Sequence, residues 1–169
     1  GGVGYLKAGL VSADAITTVS PTYAQEIRSP DHGMGLDGLI DGRIARLRGI
    51  LNGVDTDIWN PAGDPLIPRR FSGRSLGARA GNRRALEKAF GLDQDDAPFF
   101  IIVSRLTWQK GMDLMIDAID HLVGLGGKLA LLGSGDQALE GAFLAAADRH
   151  HGRIAARIGY DEPLSHLMQ

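Results

Sequence analysis

Phe99-Phe100-Ile101-Ile102-Val103 runs directly into Ser104-Arg105-Leu106-Thr107-Trp108-Gln109-Lys110-Gly111, and this stretch decides the fold. The first five residues are a continuous apolar run typical of a buried strand, and residues 112–125 have the apolar spacing of a helix. The N–H groups at a helix N-terminus attract anions, and Arg105 and Lys110 add two cations beside them. From the residues alone, two interpretations stay open: a diphosphate-binding loop, or a solvated loop with two surface cations.

Strands and helices alternate through the rest of the chain. Apolar runs predict further strands at Ile154–Ile158 and 128–132, and periodic apolar residues predict helices at 113–123, 138–149 and 163–169. This alternation implies right-handed βαβ crossovers and a parallel sheet, so the fold class is α/β. Three strands leave the edges and faces of such a sheet uncovered, so we expect more strands beyond Gln169.

The first part of the chain predicts a separate domain. The expected elements are helices at 5–13 and 21–28, strands at 15–19 and 47–51, and a glycine-rich loop at 33–38. Ser20 and Pro21 provide a cap and a first residue for the second helix. Asn52-Gly53 is a turn signal, so we place a domain junction near residues 50–60. Because the chain starts at Gly1 and stops inside a predicted helix, we expect an internal piece of a longer protein.

Composition favours a soluble globular protein. The chain has 169 residues, 44% of them hydrophobic, with a formal net charge of -2, which is enough for a hydrophobic core. Cysteine is absent, so disulfides and thiolate chemistry are excluded. No apolar run approaches the roughly 20 residues that cross a bilayer, and no signal peptide is recognisable. We expect a cytoplasmic protein without a membrane partner.

A basic segment raises the possibility of nucleic-acid binding. Its cations, opposed only by Glu87, are Arg69, Arg70, Arg74, Arg79, Arg83, Arg84 and Lys88. The segment lacks interleaved aromatic residues for base stacking, and the whole chain is slightly acidic. A solvated helix face is the favoured interpretation, so we expect no nucleic-acid partner. Asp95-Asp96 is interpreted in the same way, as a solvated loop pair.

Gly133-Ser134-Gly135-Asp136-Gln137-Ala138 fits the G-x-G-x-x-A form of the dinucleotide fingerprint. Asp161 and Glu162 follow the next strand, where an acid would hold a ribose, but their spacing is long for that role. Glycine is also needed wherever a strand tip turns into a helix, so nicotinamide binding is the weaker interpretation. The five histidines show no ligand spacing, so no metal site is predicted.

Several segments, in order, resemble the glycogen and starch synthase family of glycosyltransferases, which use ADP-glucose. They cover almost the whole chain. They are Tyr5-Leu6-Lys7-Ala8-Gly9-Leu10, Thr17-Thr18-Val19-Ser20-Pro21-Thr22-Tyr23-Ala24, Gly33-Met34-Gly35-Leu36-Asp37-Gly38, Gly49-Ile50-Leu51-Asn52-Gly53-Val54-Asp55, Val103-Ser104-Arg105-Leu106-Thr107, Gln109-Lys110-Gly111, Leu131-Leu132-Gly133-Ser134-Gly135-Asp136 and Ile158-Gly159-Tyr160.

The resemblance implies a fold of two Rossmann-like domains facing each other across a cleft, the GT-B type, with both domains incomplete here. Residues 1–50 would finish the acceptor-side domain, 51–96 would connect the domains, and 97–169 would open the donor-side domain. The implied activity is transfer of glucose from ADP-glucose to an α-1,4-glucan with retention, without a metal or cofactor. The alternatives are a retaining glycosyltransferase with another donor, UDP-linked for example, and a non-catalytic nucleotide-binding module.

The resemblance also implies site residues. Arg105 and Lys110 match the residues that bind the donor diphosphate, and Tyr160 matches the one that stacks on adenine. Asn52 matches a residue near the donor sugar and phosphates, and Gly133 belongs to the same nucleotide-sugar site. The family's K-x-G-G loop, active-site histidine and E-P-C-G glutamate are missing from this sequence, so we expect residues 1–169 alone to be inactive. Oligomeric state and acceptor length stay open.

Overall fold

The computed structural model describes residues 4–169. The chain divides into two units, Gly1–Asp55 and Thr56–Gln169. The division falls within the region 50–60 where the sequence suggested a junction. The assignment of the parts to an acceptor side, a connector and a donor side stays a prediction.

The first unit is built on two short parallel strands. Its elements are α1 (Tyr5–Ser12), β1 (Ile16–Thr18), α2 (Pro21–Glu26), α3 (Asp37–Asp41) and β2 (Leu47–Gly49). Ile16 lies opposite Leu47 in the register, and both side chains are buried in one apolar cluster with Ala24 and Ile40. The Ser20 hydroxyl accepts a hydrogen bond from the backbone N–H of Tyr23 at 2.9 Å, which confirms the predicted cap of α2.

The elements predicted in this unit are present with shorter bounds, and one helix was missed. The sequence predicted a glycine-rich loop at 33–38, but α3 begins inside it, at Asp37. With five residues and no side-chain cap, α3 is too short to produce an apolar period in the sequence. It forms because Ile40 is buried in the core of the unit, a tertiary effect.

The second unit is a parallel sheet covered by helices. Its elements are α4 (Arg79–Phe90), β3 (Phe99–Val103), α5 (Met112–Gly124), β4 (Lys128–Gly133), α6 (Gln137–Arg149), β5 (Ile154–Ile158) and α7 (Glu162–Met168). The strand order is β3-β4-β5 with all pairs parallel. The α/β class and the three predicted strands are therefore confirmed. The expected strands beyond Gln169 stay a prediction.

The side chains of β4 alternate between two apolar clusters, one on each face of the sheet. Leu129 and Leu131 join a cluster that includes Ile119 of α5 and Phe143 of α6. Ala130 and Leu132 join a second cluster, whose other buried members are Leu86, Leu92, Ala155, Leu164 and Met168. The central strand β4 is buried along its whole length, and β3 and β5 pair with it in parallel. The carboxyl ends of all three strands therefore lie along one side of the sheet, called here its carboxyl edge.

The opposite, amino-terminal edge carries a buried ion cluster around Lys128. Its Nζ lies 2.6 Å from Oε1 of Glu87 and 2.8 Å from Oδ1 of Asp95, and Lys128 and Glu87 are both fully buried. Arg83 and Arg84 also bind Glu87, at 3.0 Å and 2.7 Å. A charge removed from water must be paired to be tolerated, and each charge here has at least one partner of opposite sign.

Two sequence interpretations are corrected by this cluster. The interpretation of the basic segment as a solvated helix face is wrong for Arg83 and Arg84. Both side chains are partly buried against Glu87 and the backbone carbonyls of residues 95 and 97. The interpretation of Asp95-Asp96 as a solvated loop pair is wrong for Asp95, whose carboxylate Arg153 also binds at 2.7 Å. The sequence could not reveal these pairs, because their members lie up to 58 residues apart.

The same contacts set the pKa values of the two acids. Burial alone would raise the pKa of Glu87, but hydrogen bonds from Lys128, Arg84 and Arg83 outweigh it and hold that pKa below its ordinary value. Hydrogen bonds from Lys128 and from the backbone N–H of Ala97 hold the pKa of Asp95 well below the usual range of a carboxyl group. Both acids are therefore ionised in the folded protein at neutral pH.

Candidate functional site

The three strands of the second unit end at a common edge, and a cleft of about 210 Å³ opens there. Ligands of open α/β sheets collect at such carboxyl edges. The residues of the cleft lining that bear on function are Ser104, Arg105, Gly133, Ser134, Gly159 and Tyr160. Three of the site residues predicted from the sequence, Arg105, Gly133 and Tyr160, are thus brought together at the carboxyl ends of the three strands.

Gly133 stands where two backbones nearly touch. A Cβ atom at this position would lie 1.9 Å from the carbonyl oxygen of Ser104, a distance that no real contact allows. Gly135 is in the same position, since its Cβ would lie 2.2 Å from the carbonyl oxygen of Leu106. These glycines let the loops after β3 and β4 pack against each other, because a side chain at either position would collide with the neighbouring backbone.

Arg105 is exposed at the start of the loop after β3. Neither its guanidinium group nor the ammonium group of Lys110 has a hydrogen-bond or ion-pair partner among residues 4–169. Lys110 ends the short 3₁₀ turn Trp108–Lys110 and lies outside the lining of the cleft. Gly111, at φ 66°, follows it, and α5 then begins without a side-chain cap. The predicted combination of two cations and a helix N-terminus is therefore present.

Tyr160 is almost fully exposed, at 84%, directly after Gly159 at the tip of β5. Its hydroxyl donates to Oε2 of Glu162 at 3.2 Å, and this hydrogen bond raises the pKa of Tyr160. The ring is therefore not packed into the protein at the end of the strand. A planar ring exposed beside a cleft is available to stack on a base.

Asn52 lies in the first unit, Gly1–Asp55, whereas the three cleft residues belong to the second. It is exposed in an irregular segment three residues after β2, at the carboxyl end of the first sheet. The turn predicted at Asn52-Gly53 is absent, and the chain turns instead at residues 56–59. The role of Asn52 near a donor stays a prediction.

The loop after β4 also contains Asp136, which the sequence reasoning passed over. Its Oδ1 accepts hydrogen bonds from the backbone N–H groups of Ala138 and Leu139, so it caps α6. An acid directly before a predicted helix was the available signal. These N–H groups are the ones that a dinucleotide-binding helix would offer to a pyrophosphate, and the cap occupies them. The nicotinamide interpretation therefore loses its anion site.

Residues 4–169 contain neither a cluster of metal-ligating side chains nor a helix that could span a membrane. No group of three or more histidine, aspartate or glutamate side chains in this range is arranged to hold a metal ion. Within the same residues, no helix is both long and apolar enough to span a bilayer.

Comparison with known proteins gives consistent matches. A family model described as the starch synthase catalytic domain matches residues 1–42. The whole chain is 62% identical to a glycogen synthase of Novosphingobium aromaticivorans and 60% identical to glycogen synthase 1 of Rhizobium meliloti. It spans about a third of the length of these curated relatives, 35% in each case.

A solved structure matches as well. The catalytic domain of starch synthase IV from Arabidopsis thaliana, bound to ADP and acarbose, superposes with a TM-score of 0.88 at 36% identity. The match covers 96% of this chain and 34% of that chain. The α/β fold described above is therefore that of part of a two-domain catalytic region.

Proposed function

We propose a function for this chain, which belongs to the glycogen and starch synthase family of glycosyltransferases. It forms part of an enzyme that transfers glucose from ADP-glucose to the non-reducing end of an α-1,4-glucan, with retention of configuration. The observation that carries the proposal is the identity of about 60% to glycogen synthases along all 169 residues. The site geometry then suggests which residues act and how.

The two unpaired cations are the proposed diphosphate clamp. As the glucosyl bond breaks, negative charge grows on the departing ADP, and a cation already in place stabilises that charge without reorganisation. Arg105 can bind two phosphate oxygens in a fork, whereas Lys110 acts as a mobile point charge. Both groups are free to do so because no described residue competes for them. Since these cations supply the positive charge, the proposal includes no metal and no cofactor.

The rest of the cleft fits the remainder of a nucleotide. Tyr160 offers an exposed ring for adenine. We expect the ribose and phosphates to lie beside Gly133, which lines the same cleft. ADP is bound to the starch synthase IV structure that superposes on this chain, which supports adenine as the donor base. We include Asn52 as a contact for the donor sugar or phosphates on the basis of its matching segment. The proposed partners are a nucleotide-sugar donor and an α-glucan acceptor. The proposed location is the cytoplasm.

The proposal is tested by supplying labelled ADP-glucose or UDP-glucose to the complete protein together with glycogen, and measuring label in the polymer. We expect incorporation from ADP-glucose at a much higher kcat/KM than from UDP-glucose. Preference for UDP-glucose would instead support the alternative of a different donor. Binding of ADP without incorporation from either donor would leave only a nucleotide-binding module.

A further inference from the structure

The loop that carries both cations is hydrogen-bonded to the loop after β4, and the contacts near Arg105 differ in kind from those near Lys110. Near Arg105 it is made by backbone. Leu106 is fully buried, its N–H donates to the carbonyl of Ser134 at 2.9 Å, and its carbonyl accepts from the N–H of Asp136 at 2.8 Å. The position of Arg105 is therefore fixed by the core and by a short backbone bridge between the two loops.

Near Lys110 the fastening depends on side chains. Lys110 is the last residue of a single 3₁₀ turn that begins at Trp108. Trp108 is 58% exposed, so packing contributes little to holding its side chain. Its Nε1–H donates to Oδ2 of Asp136 at 3.4 Å. This contact joins the turn to the β4 loop by side chains.

Asp136 is well suited to anchor that turn. One of its carboxylate oxygens caps α6, which fixes the orientation of the group, and the other faces the indole. Glu140 of the same helix accepts a hydrogen bond from the N–H of Gly135 at 2.7 Å and holds the loop from its other side. The acceptor for Trp108 is therefore attached to a rigid helix and not to a flexible loop.

We propose that Trp108 and Asp136 are positioning residues that place Lys110 at the donor diphosphate, with Asp136 acting through Trp108. The inference rests on the proposed function, because it needs a diphosphate for Lys110 to meet. The ammonium group of Lys110 sits on a flexible four-carbon chain, so its location depends on where the turn holds the backbone. Misplacing a binding group by about 1 Å can cost up to ~10²-fold.

The test uses the complete protein and measures ADP affinity by calorimetry. Trp108→Phe keeps a ring but removes the N–H donor. Asp136→Ser keeps a good helix cap but removes the oxygen that faces the indole. We expect each variant to bind ADP about tenfold more weakly, and the double variant to be no weaker than the worse single one. Asp117→Ser, an exposed acid on α5, is the matched control with unchanged affinity.

A second comparison separates positioning from a general structural role. In a Lys110→Ala background, Trp108→Phe should have no further effect on ADP affinity, since no ammonium group is left to place. An undiminished effect in that background, additive single variants, or wild-type affinity in Trp108→Phe would each overturn the inference.

The two proposals fail in different ways. Turnover of ADP-glucose by the wild-type protein tests the proposed function, and the ADP affinities of the variants test the positioning. A protein that binds ADP with the expected coupling but transfers no glucose would contradict the proposed function and support the positioning of Lys110. A wild-type protein that does not bind ADP would overturn both.

Discussion

The two edges of the β3-β4-β5 sheet carry cations in opposite states. At the amino-terminal edge, Lys128 is fully buried and lies within 2.8 Å of both Glu87 and Asp95. At the carboxyl edge, Arg105 and Lys110 are exposed and have no partner among residues 4–169. The same strands therefore hold paired charges at one end and unpaired charges at the other. We therefore expect the pairing state, and not the presence of charge, to separate residues that maintain the fold from residues that bind a ligand.

Desolvation explains the difference. A buried ammonium group loses its water and must regain that free energy from carboxylates, so every contact of Lys128 is already used. An exposed cation keeps its water and loses it only when an anionic ligand arrives. Residues at the first edge should thus affect stability, and residues at the second should affect turnover.

The largest expected effect is on stability, from Lys128→Ala. The variant leaves a cavity and leaves Glu87 and Asp95 buried or partly buried without their central cation, which typically costs about 3–5 kcal/mol. Urea unfolding of the complete protein measures this loss. Lys88→Ala is the control, because Lys88 is exposed on the same helix as Glu87, and it should stay within about 0.5 kcal/mol of wild type. A stable Lys128→Ala protein would remove the contrast between the two edges.

The next effect is on catalysis, from Arg105→Ala or Lys110→Ala. Loss of one transition-state charge contact typically lowers kcat about 10²–10³-fold. Stability should stay within about 0.5 kcal/mol, because neither cation supports another described group. Steady-state kinetics and urea unfolding on the same preparations check both statements. Wild-type turnover in either variant would show that the unpaired cations have no part in the reaction.

A smaller effect is expected for the Tyr160 ring. Removing a stacked aromatic side chain costs about 1–3 kcal/mol per base, so Tyr160→Ala should weaken ADP binding about 5–150-fold. Tyr160→Phe keeps the ring and loses only an exposed hydrogen bond to Glu162, so its affinity should stay within about twofold. Calorimetric titration with ADP distinguishes the two. Equal losses in both variants would mean that the hydroxyl, and not the ring, contacts the ligand.

The smallest effect concerns acid stability at the amino-terminal edge. The pKa of Asp95 is depressed in the folded protein, so below about pH 5 the unfolded chain takes up its proton first. The unfolded state then binds more protons, and the free energy of unfolding falls as pH falls. Asp95→Asn should flatten this dependence between about pH 5 and pH 2. An unchanged slope in urea unfolding at several pH values would mean that Asp95 contributes nothing to it.

The sequence predicted the carboxyl edge better than the amino-terminal edge. Arg105, Gly133 and Tyr160 each lie at or within two residues of the carboxyl end of a strand. Parallel strands bring such positions together, so their meeting could be predicted. The ion cluster could not be predicted, because Glu87 of α4 pairs with Lys128, which lies 41 residues later in the chain. The hydrogen bond from Trp108 to Asp136, which spans two loops 28 residues apart, was beyond reach for the same reason.

By itself, the sequence determined the strands of the second unit, their parallel direction, the cationic loop and its likeness to a glucosyl transferase, since these depend on short periodic patterns and on motifs along the chain. Only the tertiary structure decided which charges are paired. Burial sets the cost of a charge, and burial depends on residues far away in sequence. Lys128 and Lys110 are the same residue type, but Lys128 is buried against two carboxylates and Lys110 is exposed to water in the loop after β3.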